Sequence, residues 1–114
     1  MPLDFSSQLG KKLLTQGGKK IFIDLVTILF IEREEYLSTI YLNCGKQIRE
    51  IKPLHLYEKE LFEMGFFRIR DNLIINGNHI SEVDIRMFKR EVIVSGNRFV
   101  IAKNRLKSFK EWIS

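Results

Sequence analysis

The chain contains one cysteine, Cys44, and two histidines, His55 and His79. A single cysteine excludes an internal disulfide bond, and three such side chains spread along the sequence do not predict a zinc site. Cys44 lies in an apparent turn, Asn43-Cys44-Gly45, with no neighbouring base, which favours an ordinary side chain over a nucleophile. The sequence therefore predicts no metal ion and no cofactor.

Long apolar runs are also missing. The longest, residues 25–31, is interrupted by Thr27 and is far shorter than the roughly 18 residues that indicate a membrane span. Residues 1–10 lack the basic segment followed by an apolar block that is typical of a secretory signal. We expect a cytoplasmic protein that does not associate with a membrane.

Catalytic combinations are scarce in this sequence. Glu34-Glu35 and the pair Glu58 and Glu60 are the candidate paired carboxylates, but neither pair lies near a nucleophile or a glycine-rich phosphate loop. The two histidines are not placed together by any pattern. We therefore expect neither an enzyme nor a protein with a small-molecule substrate.

Positive charge is abundant and unevenly distributed. The 114 residues have a net charge of +5. Between residues 86 and 110 there is one acid, Glu91, against eight basic residues: Arg86, Lys89, Arg90, Arg98, Lys103, Arg105, Lys107 and Lys110. This asymmetry suits an anionic partner, most often a nucleic acid, although a solvated basic face without a partner has the same composition.

The element pattern is dominated by short strands. Residues 1–18 are expected to form a leader with a short helix carrying Leu9, Leu13 and Leu14, ended by Gly17-Gly18. Strands are predicted at residues 21–23, 28–32, 36–42, 47–51, 66–70, 73–75, 80–85, 91–94 and 98–101. Helices are predicted at residues 53–64 and 103–113. Many short strands with two or three short helices predict a mostly-β domain, residues 19–114, without a recognition helix.

Three segments resemble the LytTR family of bacterial DNA-binding domains. Residues 21–32 (IFIDLVTILFIE) are similar to the family's opening strands, residues 65–76 (GFFRIRDNLIIN) to its central signature, and residues 92–107 to its closing hairpin and last helix. Their order and spacing carry the resemblance, which covers residues 19–112. It implies an elongated antiparallel β fold, used as the output domain of response regulators in two-component systems.

The resemblance also implies a function and its residues. LytTR domains regulate transcription by inserting loops into successive grooves of double-stranded DNA, commonly as two copies on paired sites. The family's contact regions correspond here to residues 33–38, 70–72 and 103–105. The implied DNA-binding residues are Arg33, Tyr36, Ser38, Arg70, Asn72, Lys103, Asn104 and Arg105.

The sequence departs from the family pattern within these contact regions. Arg70 replaces a histidine, Asn72 replaces a serine, and Ala102 replaces the serine before the final basic pair. Arginine pairs with guanine and asparagine with adenine, so Arg70 and Asn72 are expected to read bases. Lys103, at a helix start, is expected to contact a phosphate. The acids Glu34 and Glu35 would repel phosphates.

Two other classes of function remain open. A β-rich protein-interaction module with a basic face would bind DNA weakly and without sequence preference. A single-strand or RNA binder would depend on exposed rings, for which Phe88 and Tyr36 are the candidates.

Overall fold

Antiparallel strands make up most of the fold. A computed structural model describes residues 10–114, with Leu13 described by its backbone alone. The strands of this part are β1 (Lys11–Gln16), β2 (Lys19–Asp24), β3 (Ile28–Glu34), β4 (Leu37–Leu42), β5 (Gln47–Glu50), β6 (Phe66–Arg70), β7 (Leu73–Asn76), β8 (Ile80–Arg86), β9 (Lys89–Val94) and β10 (Asn97–Val100). The α-helices are α1 (Leu54–Leu61) and α2 (Leu106–Ile113). The predicted mostly-β class is confirmed.

The strands form three sheets. The largest has five strands in the order β5-β4-β3-β7-β6, a second has three in the order β10-β9-β8, and β1 pairs only with β2. All pairs are antiparallel. The molecule measures 46 × 31 × 24 Å along its principal axes, which agrees with the expected elongated shape.

The five-stranded sheet is buried on both faces, because one apolar core packs against each. The first core includes Leu14, Ile31, Tyr57 and Ile74, which places the β1-β2 hairpin and α1 on one side. The second includes Phe67, Ile75, Val92, Phe109 and Trp112, which places the three-stranded sheet and α2 on the other. The strands of the central sheet therefore read as nearly continuous apolar runs.

The first predicted helix is confirmed, with its boundaries. Pro53 is the N-cap residue of α1, and a 3₁₀ turn, Phe62–Met64, follows its last residue. Gly65 adopts a left-handed φ of 89°, which ends the helical segment as the sequence predicted.

The expected helix in the leader is wrong where the structure describes it. Lys11–Gln16 is a strand, and its pairing with Lys19–Asp24 is closed by Gly17-Gly18, whose φ angles are 56° and 83°. Two consecutive positive φ angles are typical of a two-residue hairpin turn. Pairing with β2 and burial of Leu14 thus outweigh a weak helical pattern. Leu9 and the rest of residues 1–9 lie outside the described residues.

Two polar side chains are buried in or beside the central sheet. The Asn76 side chain donates hydrogen bonds to the carbonyl oxygens of Leu25 (3.3 Å) and Ile28 (2.7 Å) and accepts one from the Asn78 backbone (2.9 Å). The Ser38 hydroxyl donates to the Lys52 carbonyl oxygen at 2.7 Å. Both side chains are fully buried, so these hydrogen bonds offset their loss of hydration.

Candidate nucleic-acid interface

The three predicted contact regions lie side by side. The β3-β4 turn and the β6-β7 turn are at the same end of the central sheet, because Glu32 pairs with Leu73. The Arg33 backbone N–H donates to the Asn72 carbonyl oxygen at 2.9 Å. The Ala102 N–H donates to the Ile69 carbonyl oxygen at 2.9 Å, which attaches the segment before α2 to the same end. We call this group of three segments the loop face.

A β-bulge orients Arg70 at the centre of the loop face. The register shifts between Arg68 and Arg70, since Arg68 pairs with Ile74 whereas Arg70 pairs with Leu73. Bulges redirect side chains in this way. The Arg70 guanidinium lies 6.0 Å from the centre of the Phe99 ring, and its buried Nε has no hydrogen-bond partner among residues 10–114. The half-buried side chain is therefore held by packing, with donors left for a ligand.

The turn beyond Arg70 is exposed. Asp71 has 89% of its side chain accessible, and Asn72 is also exposed. The Asn72 carbonyl oxygen is used by Arg33, so the turn is fixed by its backbone while its side chains face solvent. This arrangement leaves the Asn72 amide available to read a base edge.

Arg105 belongs to a network of ion pairs within the domain. Its guanidinium donates to the Asp71 carboxylate (3.1 Å) and to the Arg68 carbonyl oxygen (3.4 Å), and lies 3.8 Å from Glu58. Arg68 in turn bonds Glu58 at 3.2 Å. The Arg105 side chain is only 23% exposed. The geometry thus gives Arg105 a different task from the expected DNA contact: it joins the central turn to the segment before α2.

The β3-β4 turn presents one of its three predicted residues freely. Tyr36 is 66% exposed. The Arg33 Nε donates to the Glu35 carbonyl oxygen, which places this guanidinium across the turn. Ser38 is fully buried and bonded to Lys52, so the expectation that it contacts DNA is wrong in this conformation. Its position was misjudged because alternation alone did not show which face of residues 36–42 was buried.

The segment before α2 offers two exposed polar side chains. Lys103–Arg105 forms a 3₁₀ turn that continues into α2, and its N-cap residue is Ala102. Ala102 has no capping side chain, whereas Lys103 and Asn104 are exposed. Among residues 10–114, no carboxylate oxygen lies within 4.0 Å of the Lys103 ammonium. An unneutralised cation at this position suits a phosphate.

Much of the basic segment is already paired with acids. Arg86 donates two hydrogen bonds to Asp84, at 2.7 and 2.8 Å, and this contact lowers the pKa of the Asp84 carboxyl group. Arg98 bonds Glu91 at 2.7 Å. The +7 charge of residues 86–110 is therefore an upper limit on the field near the loop face. Within the described part of the chain, Lys103, Lys107 and Lys110 carry no such ion pair.

Other types of site are not formed by the described residues. Residues 10–114 contain no group of three or more His, Cys, Asp or Glu side chains arranged to hold a metal ion. The Cys44 thiol is exposed and free, and the His79 ring bonds the Val26 carbonyl oxygen. No helix in this part of the chain is long and apolar enough to cross a membrane.

Comparison with known proteins identifies the family. The family model for the LytTr DNA-binding domain matches residues 18–114. The chain belongs to the LytTR family of DNA-binding domains. The resemblance that was found in the sequence is thus confirmed, and so is the DNA-binding function that it implied.

Two relatives show how far the likeness extends. A sensory transduction protein LytR of Staphylococcus haemolyticus is 25% identical over 101 residues, which cover 80% of this chain. The chain spans only 40% of the length of that relative. The solved structure of a LytTr DNA-binding domain from Bacillus cereus superposes with a TM-score of 0.77 at 15% identity, covering 92% of this chain and 97% of its own. That likeness shows that the LytTR fold is shared.

Proposed function

We propose that this LytTR domain recognises a specific sequence of double-stranded DNA and thereby regulates transcription. The observation that supports the proposal most strongly is the loop face. Three segments far apart in sequence meet at one end of the central sheet through the backbone hydrogen bonds from Arg33 to Asn72 and from Ala102 to Ile69. A continuous surface of this kind can follow a duplex without a recognition helix.

The geometry supports separate roles for the loop-face residues. Arg70 and Asn72 read base edges, because each can form a paired set of hydrogen bonds with one base. Lys103 contacts a phosphate, and the exposed Asn104 reaches a neighbouring base or phosphate. Tyr36 packs against the duplex at the β3-β4 turn.

Three predicted residues have supporting roles in this proposal. Arg33 shapes the β3-β4 turn through its bond to the Glu35 carbonyl oxygen. Ser38 stabilises the strand behind that turn. Arg105 holds the Asp71 turn against the segment before α2.

The wider setting is also part of the proposal. The partner is duplex DNA, bound by two copies on paired sites, in the cytoplasm and within a sensory transduction pathway like that named for the Staphylococcus relative. The domain carries no catalytic activity and has no small-molecule substrate, metal or membrane partner.

A selection followed by competition tests this function. Random duplexes are selected on the wild-type chain, and the enriched duplex is competed against a scrambled duplex and against its own single strands. We expect strong preference for the enriched duplex. About five phosphate contacts predict a slope near −4 to −5 in a plot of log affinity against log salt.

Two other outcomes would replace the proposal. A preference for single strands would favour a stacking surface, for which Tyr36 and Phe88 are exposed by 66% and 94%. Weak binding that ignores both sequence and salt would favour a protein-interaction module.

A further inference from the structure

The β8-β9 hairpin ends in two large, exposed apolar side chains. Met87 is 83% and Phe88 94% exposed. Phe88 also has a φ of 68°, a left-handed conformation that bulky residues rarely adopt. Unfavourable backbone conformations of this kind concentrate at functional positions. We call residues 86–89 the hairpin tip.

Cations flank both apolar residues of the hairpin tip. Arg86 and Lys89 face each other as the last pair of the β8-β9 ladder. Asp84 holds both of them, with contacts of 2.7 Å to Arg86 and 3.4 Å to Lys89. The apolar pair therefore projects from a base of two oriented positive side chains, which suits an anionic surface.

The hairpin tip is continuous with the loop face. Arg90, the second residue of β9, accepts a backbone hydrogen bond from Ile101 at 2.7 Å, and its side chain donates to the Ile101 carbonyl oxygen at 2.9 Å. The next residue, Ala102, bonds Ile69 at the loop face. Phe88 lies two residues from Arg90, which is a path of about 7 Å along an extended chain.

We propose that the hairpin tip is a fourth DNA contact, in which Met87 and Phe88 enter the minor groove as an apolar wedge. Apolar side chains inserted between base steps kink the duplex toward the major groove, so that more protein surface meets the DNA. Arg86 and Lys89 lie against the phosphates on either side of the wedge. This inference rests on the proposed function and extends its contact surface beyond the three regions predicted from the sequence.

The test replaces Phe88 without straining the turn. Phe88→Asn removes the ring, and asparagine tolerates positive φ better than phenylalanine does. Phe22→Thr is the matched control, because Phe22 is an aromatic residue that is 66% exposed on β2, a strand of the separate β1-β2 hairpin. Phe88→Trp tests whether another large ring preserves the contact. Thermal unfolding of each variant checks that the fold is retained.

Three measurements use the duplex enriched by the wild-type chain. Affinity is measured by anisotropy, bending by energy transfer between the duplex ends, and unstacking by 2-aminopurine placed in turn at the base steps beyond the sequence read by the loop face. We expect wild type and Phe88→Trp to bend the duplex and to raise 2-aminopurine fluorescence at one step. Phe88→Asn should lose about tenfold in affinity, within the range for one stacked ring, together with both signals. Phe22→Thr should match wild type.

The failures of the two proposals are distinguishable. If no duplex is enriched by the wild-type chain, the proposed function fails and the wedge fails with it. If wild type binds its enriched duplex but leaves it straight with every step stacked, the wedge alone is overturned. A Phe88→Asn variant that binds and bends the duplex like wild type overturns it as well, and so does a loss confined to single-stranded DNA.

Discussion

Arg70→Ala would test the assignment of base reading most directly. Arg70 lies 6.0 Å over the Phe99 ring with its Nε unpaired within the described chain. Loss of this cation–π contact should lower the free energy of unfolding by about 0.5–1 kcal/mol, which leaves the domain folded. Loss of a two-bond contact with guanine should weaken the enriched duplex by about 1–3 kcal/mol. Scrambled duplex should lose much less, so discrimination decreases.

Two companion variants separate geometry from charge. Arg70→Lys retains the positive charge but lacks the planar fork, so it should bind scrambled duplex normally and still discriminate poorly. Lys103→Ala removes a phosphate contact, and should weaken both duplexes similarly while lowering the salt slope by about one unit. Lys103 is exposed, so its removal should leave stability unchanged.

The assay is a set of anisotropy titrations on enriched and scrambled duplexes over a range of salt concentrations. Circular dichroism and thermal unfolding report whether each variant remains folded. Equal weakening of both duplexes by Arg70→Ala would refute the reasoning, because it would make Arg70 a phosphate anchor.

Three further predictions concern stability. Arg105→Ala should lower the free energy of unfolding in urea by about 1–2 kcal/mol; unchanged stability with lost DNA affinity would make it a contact residue. Leu14→Ala should cost about 2–5 kcal/mol, and a negligible cost would contradict the packing of β1. Burial and the Glu50 hydrogen bond raise the pKa of Tyr57 above 10.0, so folding favours the protonated phenol. Stability should therefore fall as pH rises above about 10, and Tyr57→Phe should reduce that fall in urea titrations at each pH.

The strands were predictable where their residues and turns pointed the same way. Apolar runs bounded by Asn43-Cys44-Gly45, Gly65 and Ser95-Gly96-Asn97 all became strands with ends within two or three residues of those predicted. The β1 strand was missed because Lys11–Gln16 has no strong alternation. Its conformation depends on pairing with β2, which is a tertiary effect that local propensity does not contain.

The candidate site was predictable as regions, and less well as individual side chains. The resemblance located the three segments that form the loop face. It did not show that Ser38 is buried or that Arg105 bonds Asp71 across 34 residues of sequence. Nor did it show the bulge that orients Arg70. Each of these depends on register or on a long-range contact, and neither is encoded in the spacing of residues along the chain.

Burial of the central sheet on both sides has a consequence for folding fidelity. A strand with one wet face resists a one-residue shift, because the shift would expose its apolar residues. That protection is weak here, since all four residues of β7 and the first four of β3 are buried. A shifted strand would exchange one apolar environment for another. The amide of Asn76 and the hydroxyl of Ser38 meet their carbonyl partners in only one alignment, so these two polar groups are what makes the native alignment the cheapest one.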